Sequence, residues 1–175
     1  GRSPREQIDL SVAAALEMMK KISDVWENDL RPALKDVGVV VRTYESLTGE
    51  ERTHVDAYFH ETIFPILTPL AVDSAHPFPF ISNLSLSLAF TLKHPVRGTE
   101  HFARLKVPTG RGRWVALPGS ATEVVALEEV IRHNADVLFR GMTVKGVSAF
   151  RVTRNASLDR SEEEADDLLE MISEE

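Results

Sequence analysis

Six histidines are the side chains of this sequence that could bind a metal ion or carry a phosphoryl group. His60 and Glu61 begin like the zinc-binding helix of a protease, but Phe64 stands where the second histidine of that motif belongs. His54 lies six positions before His60, so a helix places the two on different faces. His76 lies among prolines and is expected to hydrogen-bond a backbone group. We therefore expect surface or hydrogen-bonded histidines and no metal site.

Four basic residues could contact a phosphate chain, and they are Arg104, Lys106, Arg111 and Arg113. Alternation along the segment predicts that Arg104 and Lys106 share one face of a strand, with Arg113 joining them across a hairpin. Several cations in line would bind a polyanion by charge-assisted contacts and counterion release. The loop at 108–112 is not a nucleotide phosphate loop, because the lysine and the Ser/Thr of that motif are missing. An ordinary solvated sheet face is the favoured interpretation of the same pattern.

Composition restricts the class of protein. The 175 residues are 43% apolar and 27% charged, which is typical of a globular domain. The net charge of −7 argues against a general nucleic-acid binder. The absence of cysteine excludes disulfides and thiolate metal sites and is compatible with a reducing cytoplasm. No apolar run approaches the roughly 20 residues of a membrane-spanning helix. We also expect no signal peptide, because the first residues are polar and charged, and the sequence shows no nucleophile–base pair, paired-carboxylate site or nucleotide fingerprint.

Capping boxes start three predicted helices, at Ser3–Glu6, Thr48–Glu51 and Ser161–Glu164. The first helix is expected to run to about Asp36 and to end at Gly38. It carries an apolar residue at every third or fourth position, namely Ile8, Val12, Leu16, Met19, Ile22, Trp26, Leu30 and Leu34. A stripe of this length needs a partner helix.

A short buried strand or an extended entry is predicted at 39–41. Strands are predicted at Leu84–Phe90, His101–Val107, Arg113–Leu117 and Gly146–Thr153, and two further helices at about Gly49–Phe64 and Ala121–Leu138. The loop at 108–112 is expected to join two of these strands as a hairpin. The segment 65–80 contains four prolines, which predicts a stiff crossover that is neither helix interior nor central strand. This order of elements predicts an α+β fold, with a largely antiparallel sheet, packed helices and one long helix in front.

Three stretches, taken together, resemble bacterial polyphosphate kinase, the large enzyme that polymerises the terminal phosphate of ATP. The most specific covers Tyr58–Phe90 and reads YFHETIFPILTPLAVDSAHPFPFISNLSLSLAF. The second combines RWVALP at Arg113–Pro118 with LEEVIRHNADVLFRG at Leu127–Gly141. The third is FRVTRNASLDRSEEEADDLLE at Phe150–Glu170. Their order and spacing agree with that family, and the resemblance covers nearly the whole chain.

The resemblance implies an enzyme with an N-terminal helical domain, a head domain and two C-terminal catalytic domains of phospholipase-D-like fold. Residues 1–36 look like the last helix of the helical domain, whose other helices would then be the partners of the apolar stripe. Residues 37–175 look like most of the head domain, which is expected to continue beyond Glu175. In this family the head domain contributes to dimer contacts and to the shape of the substrate tunnel.

The family's phosphate-accepting histidine, its magnesium-binding arginines and most of its ATP contacts belong to the C-terminal domains. The resemblance therefore implies Mg²⁺ and ATP as cofactors of the parent kinase, but no catalytic, cofactor-binding or metal-binding residue in this chain and no cofactor bound to it. It implies self-association into a homo-oligomer, polyphosphate and ATP as partners of the parent, and no nucleic-acid partner or membrane-spanning segment. The expected location is the cytoplasm, with membrane association of the parent left open.

A stand-alone interaction domain of the same head fold, binding a protein or a polyanion without a catalytic partner, is the alternative. The predicted helix that is still running at Glu175 counts against it. A reading frame that continues into a histidine-bearing, phospholipase-D-like domain would favour the kinase, whereas a stop codon near Glu175 would favour the alternative.

Overall fold

The fold begins with the long helix that the first capping box predicts. The computed structural model describes residues 2–72, 81–108, 110 and 112–153. Helix α1 (Pro4–Val25) has Ser3 as its N-cap, and the Ser3 Oγ accepts the N–H of Glu6 at 3.3 Å. The Glu6 carboxylate in turn accepts the N–H of Ser3 at 2.7 Å. Both halves of the predicted capping box are present, and the prediction is confirmed.

A π-helical turn, Trp26–Leu30, joins α1 to α2 (Arg31–Asp36). Pro32 has no N–H to give to the helical ladder, and the wider turn lies directly before it. The helix then ends at Gly38, whose φ of +84° suits a residue without a Cβ. The Gly38 N–H bonds to the Lys35 carbonyl at 3.0 Å, and the next N–H reaches back to Leu34 at 2.8 Å. These two hydrogen bonds form the helix C-cap that the sequence predicts at Gly38.

The second predicted helix also contains a π turn before a proline. Helix α3 (Gly49–Tyr58) starts with the predicted capping box, continues through a π turn (Phe59–Ile63) and ends in a 3₁₀ turn (Phe64–Ile66) that contains Pro65. The helical run is therefore close to the one predicted. Its apolar face is fully buried, as Val55, Phe59 and Ile63 have no exposed surface.

The described residues form two sheets, one of which contains three short strands in the order β1-β6-β5. They are β1 (Val40–Arg42), β5 (Trp114–Ala116) and β6 (Glu123–Ala126). Strand β6 pairs in parallel with β1 and antiparallel with β5. The prediction of a helix from Ala121 was wrong over its first residues, because Val124 and Val125 are β-branched and complete a sheet whose other strands come from distant parts of the chain.

The other sheet is wholly antiparallel, in the order β2-β4-β3-β7. Its strands are β2 (Leu70–Val72), β3 (Ser87–Lys93), β4 (Glu100–Lys106) and β7 (Thr143–Phe150). Strand β2 was not predicted as a strand, but it follows Pro69 and lies at the edge of the sheet, where prolines are tolerated. The α+β class with a largely antiparallel arrangement is confirmed.

The predicted hairpin between β4 and β5 is wrong, because these strands lie in different sheets. At the end of β4, the Val107 N–H bonds to the Leu86 carbonyl at 2.9 Å, within the four-stranded sheet. The Arg113 carbonyl accepts the N–H of Leu127 at 2.8 Å, on the side of the three-stranded sheet. The glycine-rich segment between them is therefore a connection from one sheet to the other.

Strand β3 starts three residues later than predicted. Leu84 lies outside it, in a turn with φ of +61°, and more than half of its side chain is exposed. The predicted apolar face is correct for Leu86, Leu88 and Phe90, which are buried. Strand β7 starts at Thr143 instead of Gly146.

One hydrophobic core is shared by both sheets. Its buried members come from α3, from β3 and β4 of one sheet, from β5 and β6 of the other, and from the helical segment α4 (Leu127–His133) with the short α5 (Ala135–Leu138) that follows. The largest fully buried side chains include Phe59, Phe90, Ile63 and Leu88. The two sheets and α3 are therefore held together by a single apolar contact region.

Helix α1 has no buried residue in the structure. Its apolar stripe is exposed at each of five positions: Ile8, Val12, Leu16, Met19 and Ile22. Across the residues that the structure describes, no helix is both long and apolar enough to cross a membrane. Three expectations lie outside the described residues: those for His76 with its flanking prolines, for Arg111 and for the helix that starts at Ser161.

Truncation of Leu88 to alanine tests the shared core. Leu88 is fully buried near the start of β3, so we expect Leu88→Ala to lower the free energy of unfolding by about 2–5 kcal/mol. Val96→Ala is the matched control, since Val96 is 89% exposed at the tip of the β3–β4 hairpin and its truncation should change stability by less than about 0.5 kcal/mol. Urea denaturation of both variants measures the difference. Equal losses would contradict the assignment of the core.

Candidate functional site

Arg104 is buried, although its place on β4 predicted a solvated face. Only 5% of its surface is exposed, and its Nε donates to the Oγ of Ser87 on β3 at 3.2 Å. Ser87 itself has no exposed surface. The expectation of a solvated sheet face is therefore wrong at Arg104, because the face of the sheet that carries Arg104 and Ser87 is buried there.

The four predicted phosphate-contacting residues do not form one stripe across a hairpin. Lys106 lies half-buried at the end of β4, whereas Arg113 lies just before β5 in the other sheet and is partly exposed. Arg111 is outside the described residues. A contact of Lys106 or Arg113 with polyphosphate stays a prediction, and the two residues lie in or next to strands of different sheets.

Arg113 lines a groove between the long helix and the three-stranded sheet. The groove has a volume of about 690 Å³, within the range of about 300–1,000 Å³ that is usual for binding pockets. It is lined by Lys21, Ile22, Val25, Trp26, Leu30, Arg113 and Trp114. The walls are mostly apolar, and the two charged side chains are both cations. This composition suits an apolar partner surface.

A buried carboxylate fixes Arg113 at the rim of this groove. The Glu128 Oε1 accepts the Nε–H of Arg113 at 3.0 Å and a second N–H from the same guanidinium. The guanidinium lies 5.4 Å from the ring centroid of Trp114, within the range of a cation–π contact. Glu128 is 7% exposed, and its Oε2 has no hydrogen-bond partner in the described part of the chain. The charge of Arg113 is thus largely compensated within the domain.

A second groove, of about 430 Å³, lies at the junction of α2 and β1 and contains three cations, Arg31, Lys35 and Arg42. Arg31 pairs with Glu27 at 3.0 Å, and Arg42 pairs with Glu123 at the same distance. Lys35 lies in the last turn of α2, where a cation favours the helix dipole. Carboxylates therefore balance most of the positive charge of this groove, which gives it little attraction for a polyanion.

Tyr44 is the centre of a polar network that joins α3 to the end of α4. Its hydroxyl donates to the Asp56 carboxylate, whose two oxygens lie at 2.9 and 2.8 Å, and Asn134 Nδ2 donates to the same carboxylate at 2.8 Å. The Tyr44 ring stacks on His133, with ring centroids 4.1 Å apart and planes inclined by 12°. His133 Nε2 in turn lies 3.0 Å from Glu45. The network holds the turn after β1 against two helices.

Two ionisable groups in this network have shifted pKa values. Burial, followed by the hydrogen bond to Asp56, raises the pKa of Tyr44 to about 12. The pKa of Glu45 lies below its usual value, first because its carboxylate accepts its own backbone N–H and then because of His133. Both shifts follow from contacts that hold the network together, and neither prepares an acid or a base for proton transfer at neutral pH.

The contacts of Glu128 and Tyr44 were not predicted from the sequence. Glu128 lies within the segment predicted to be helical from Ala121, and a glutamate in a predicted helix is usually solvent-exposed. Tyr44 contacts Asp56, which is 12 positions away in the chain, and Asp56 contacts Asn134, which is a further 78 positions away. No local pattern signals such pairs, because each depends on the packing of separate elements.

These features define an α+β domain whose surface offers an apolar groove and ion pairs that are largely compensated. Within residues 2–72, 81–108, 110 and 112–153, no three His, Asp or Glu side chains come together as a metal-ligating group. The polyphosphate kinase middle domain, as a sequence family, matches residues 50–175. The chain therefore belongs to the polyphosphate kinase family, and the resemblance that the sequence showed is confirmed.

Individual relatives agree with this assignment. A polyphosphate kinase of Mycolicibacterium gilvum is 45% identical over the whole of this chain, which spans 25% of that protein. One of Aphanizomenon baltica is 42% identical, again over the whole chain, which spans 48% of it. The crystal structure of polyphosphate kinase from Porphyromonas gingivalis superimposes with a TM-score of 0.71 and 27% identity, covering 81% of this chain and 24% of that one. This chain thus spans about a quarter of the length of the Mycolicibacterium protein.

Removal of the Tyr44 hydroxyl tests the network. We expect Tyr44→Phe to lower the free energy of unfolding at pH 7 by about 1–2 kcal/mol, because Asp56 loses a donor. The pKa of Tyr44 is about 12 in the folded state, against an ordinary value of 10.0, so the contribution of its hydroxyl to stability is complete below pH 10 and is lost as the pH rises through 12. The variant should therefore lose less stability than the wild type between these pH values.

Tyr58→Phe is the control for this experiment, because Tyr58 is the other tyrosine of the chain and has no hydrogen bond to a carboxylate among the described residues. Urea denaturation at a series of pH values from 7 to 11.5 measures both variants. An identical alkaline slope in Tyr44→Phe and the wild type would contradict the role of the hydroxyl.

Proposed function

We propose that this chain is a non-catalytic portion of an enzyme that transfers the terminal phosphate of ATP to a growing polyphosphate chain. The observation that carries the proposal is the match of residues 50–175 to the polyphosphate kinase middle domain. Relatives that bear the name polyphosphate kinase align with the whole chain and extend well beyond it. In this proposal residues 1–36 are the end of a helical domain and residues 37–175 belong to the head domain.

The reaction itself belongs to other parts of the enzyme in this proposal. ATP, Mg²⁺ and polyphosphate are partners of the whole kinase, which we place in the cytoplasm because ATP is supplied there. Two features of the described residues support this division of labour. The conspicuous cations Arg42 and Arg113 are paired with carboxylates, and the one shifted pKa of large size, that of Tyr44, belongs to a structural network.

The contribution of this portion is then architectural. The rigid core that joins two sheets gives the domain a fixed shape, and the apolar stripe of α1 and the groove beside Trp114 offer surfaces for contact. Exposed apolar surface of this extent marks an interaction site. We propose that these surfaces support the dimer and the walls of the substrate tunnel in the complete kinase.

The isolated chain should have no kinase activity, because the groups that would accept and transfer phosphate lie outside it. ATP-dependent polyphosphate synthesis by residues 1–175, at high protein concentration and against a heat-treated control, measures this. The full-length enzyme from the same reading frame is the positive control. Synthesis by the isolated chain that disappears with one histidine substitution would contradict the proposal, and an inactive full-length enzyme would contradict the assignment of the parent as a kinase.

Self-association of the isolated chain should depend on α1, whose stripe is exposed along its whole length. We expect Leu16→Glu with Ile22→Glu to lower the mass measured by light scattering, because two charges would interrupt the apolar contact. Ala13→Glu with Ala14→Glu is the matched control, since it adds the same charge on the side of the helix away from the stripe. An unchanged mass in the first variant would exclude α1 as the interface.

Polyphosphate contact by Lys106 and Arg113 can be tested without Arg104, whose burial makes its truncation a risk to folding. We expect the double variant Lys106→Ala, Arg113→Ala of the full-length enzyme to bind polyphosphate with the same salt dependence as the wild type, because Glu128 compensates Arg113. A titration over a salt series measures the slope. A slope reduced by about one per residue would instead assign both side chains to the phosphate chain.

A further inference from the structure

The two edges of the four-stranded sheet differ in how they are protected. The edge strand β2 has three residues, and Pro69 stands directly before it. Among the described strands, β7 forms the opposite edge, and it has eight residues, contains no proline and carries one charged side chain, Lys145. Short strands, prolines and charges are the devices that prevent further pairing at an edge. Strand β7 has few of them over most of its length.

The paired side of β7 is fully occupied by β3. Their register runs from Ser87 with Phe150 to Lys93 with Thr143, and Lys145 is the extra residue of a β-bulge. Beyond Phe150, the Leu84 N–H still bonds to the Val152 carbonyl at 2.8 Å. Because backbone groups alternate along a strand, about half of the N–H and C=O groups of β7 point away from β3. The uncharged part, Gly146–Phe150, is long enough to accept another strand.

Chain order indicates what would occupy this edge. Consecutive strands are neighbours in roughly two-thirds of cases, and the side of β7 that faces β3 is already taken. The capping box Ser161–Glu164 predicts a helix between β7 and any later strand. A connection of this kind is a crossover and not a hairpin, so a strand after it would run parallel to β7 and be reached by a right-handed turn.

We propose that the outer edge of β7 pairs in parallel with a β-strand of the same polypeptide, supplied by the part of the enzyme that follows this chain. The proposal rests on the proposed function, because it requires the longer protein that the relatives indicate: this chain spans only 25% of the Mycolicibacterium gilvum enzyme. It makes the described sheet the first part of a larger one. A second copy of this chain at the same edge is the rival occupant.

Hydrogen exchange of the β7 backbone tests the pairing. In residues 1–175 alone, about half of the amides of Gly146–Phe150 should exchange rapidly, since alternate N–H groups face solvent. In the full-length enzyme the same amides should all be slow. Mass spectrometry of the peptide that covers β7, compared between the two proteins at low and high concentration, measures this. Equal exchange in the two proteins would overturn the proposal, as would protection that appears in the short chain at high concentration, which would assign the edge to a second copy.

A pair of proline variants gives an independent measurement. Ser148 and Ala149 are adjacent, so the N–H of one points toward β3 and that of the other points outward. In residues 1–175, one of Ser148→Pro and Ala149→Pro should lower the melting temperature clearly more than the other. In the full-length enzyme both should lower it by a similar amount. One variant that leaves the full-length melting temperature unchanged would overturn the proposal. A kinase assay of the same preparations separates this proposal from the proposed function. An active enzyme whose β7 edge is unpaired would contradict the pairing of β7 and would still support the proposed function.

Discussion

The structure depends on one hydrophobic core that two separate sheets share with α3. Val55, Phe59 and Ile63 form a single buried face on α3 and its π turn, and this face packs in the same cluster as side chains of both sheets. The sheets have no backbone hydrogen-bonded strand in common, so apolar contact is what joins them. The α3 face therefore helps to bury the apolar side of both sheets.

Local chemistry was predictable from the sequence, and long-range pairing was not. Both predicted capping boxes that lie within the described residues are formed, because a capping box depends only on residues three positions apart. The helix C-cap at Gly38 was equally local. The strand β6 was missed, since its neighbours β1 and β5 come from distant parts of the chain and Val124 and Val125 were absorbed into a helical pattern. The prediction of a hairpin between β4 and β5 was wrong for the same reason, because the composition of a loop does not decide which sheet the second strand joins.

The same distinction applies to the candidate site. The alternation along β4 correctly placed Arg104 and Lys106 on the same face of the strand. Whether that face is exposed depends on what packs over it, and Arg104 is buried. The partner of Arg113 was also not predictable, because Glu128 approaches it only when the segment after β6 turns into α4. Of these basic residues, Arg113 is paired with a carboxylate in the folded domain, so the basic pattern of the sequence alone does not show how much positive charge the surface presents.

Both tryptophans of the chain, Trp26 and Trp114, line the groove between the long helix and the three-stranded sheet. The intrinsic tryptophan fluorescence of the domain is consequently a local signal from one groove and not an average over the molecule. Emission follows the surroundings of the two rings in this groove, while circular dichroism follows the backbone of all elements together. Two transitions that differ between these probes would record the helix separating from a domain that is still folded, and the chain thus contains its own spectroscopic label for that event.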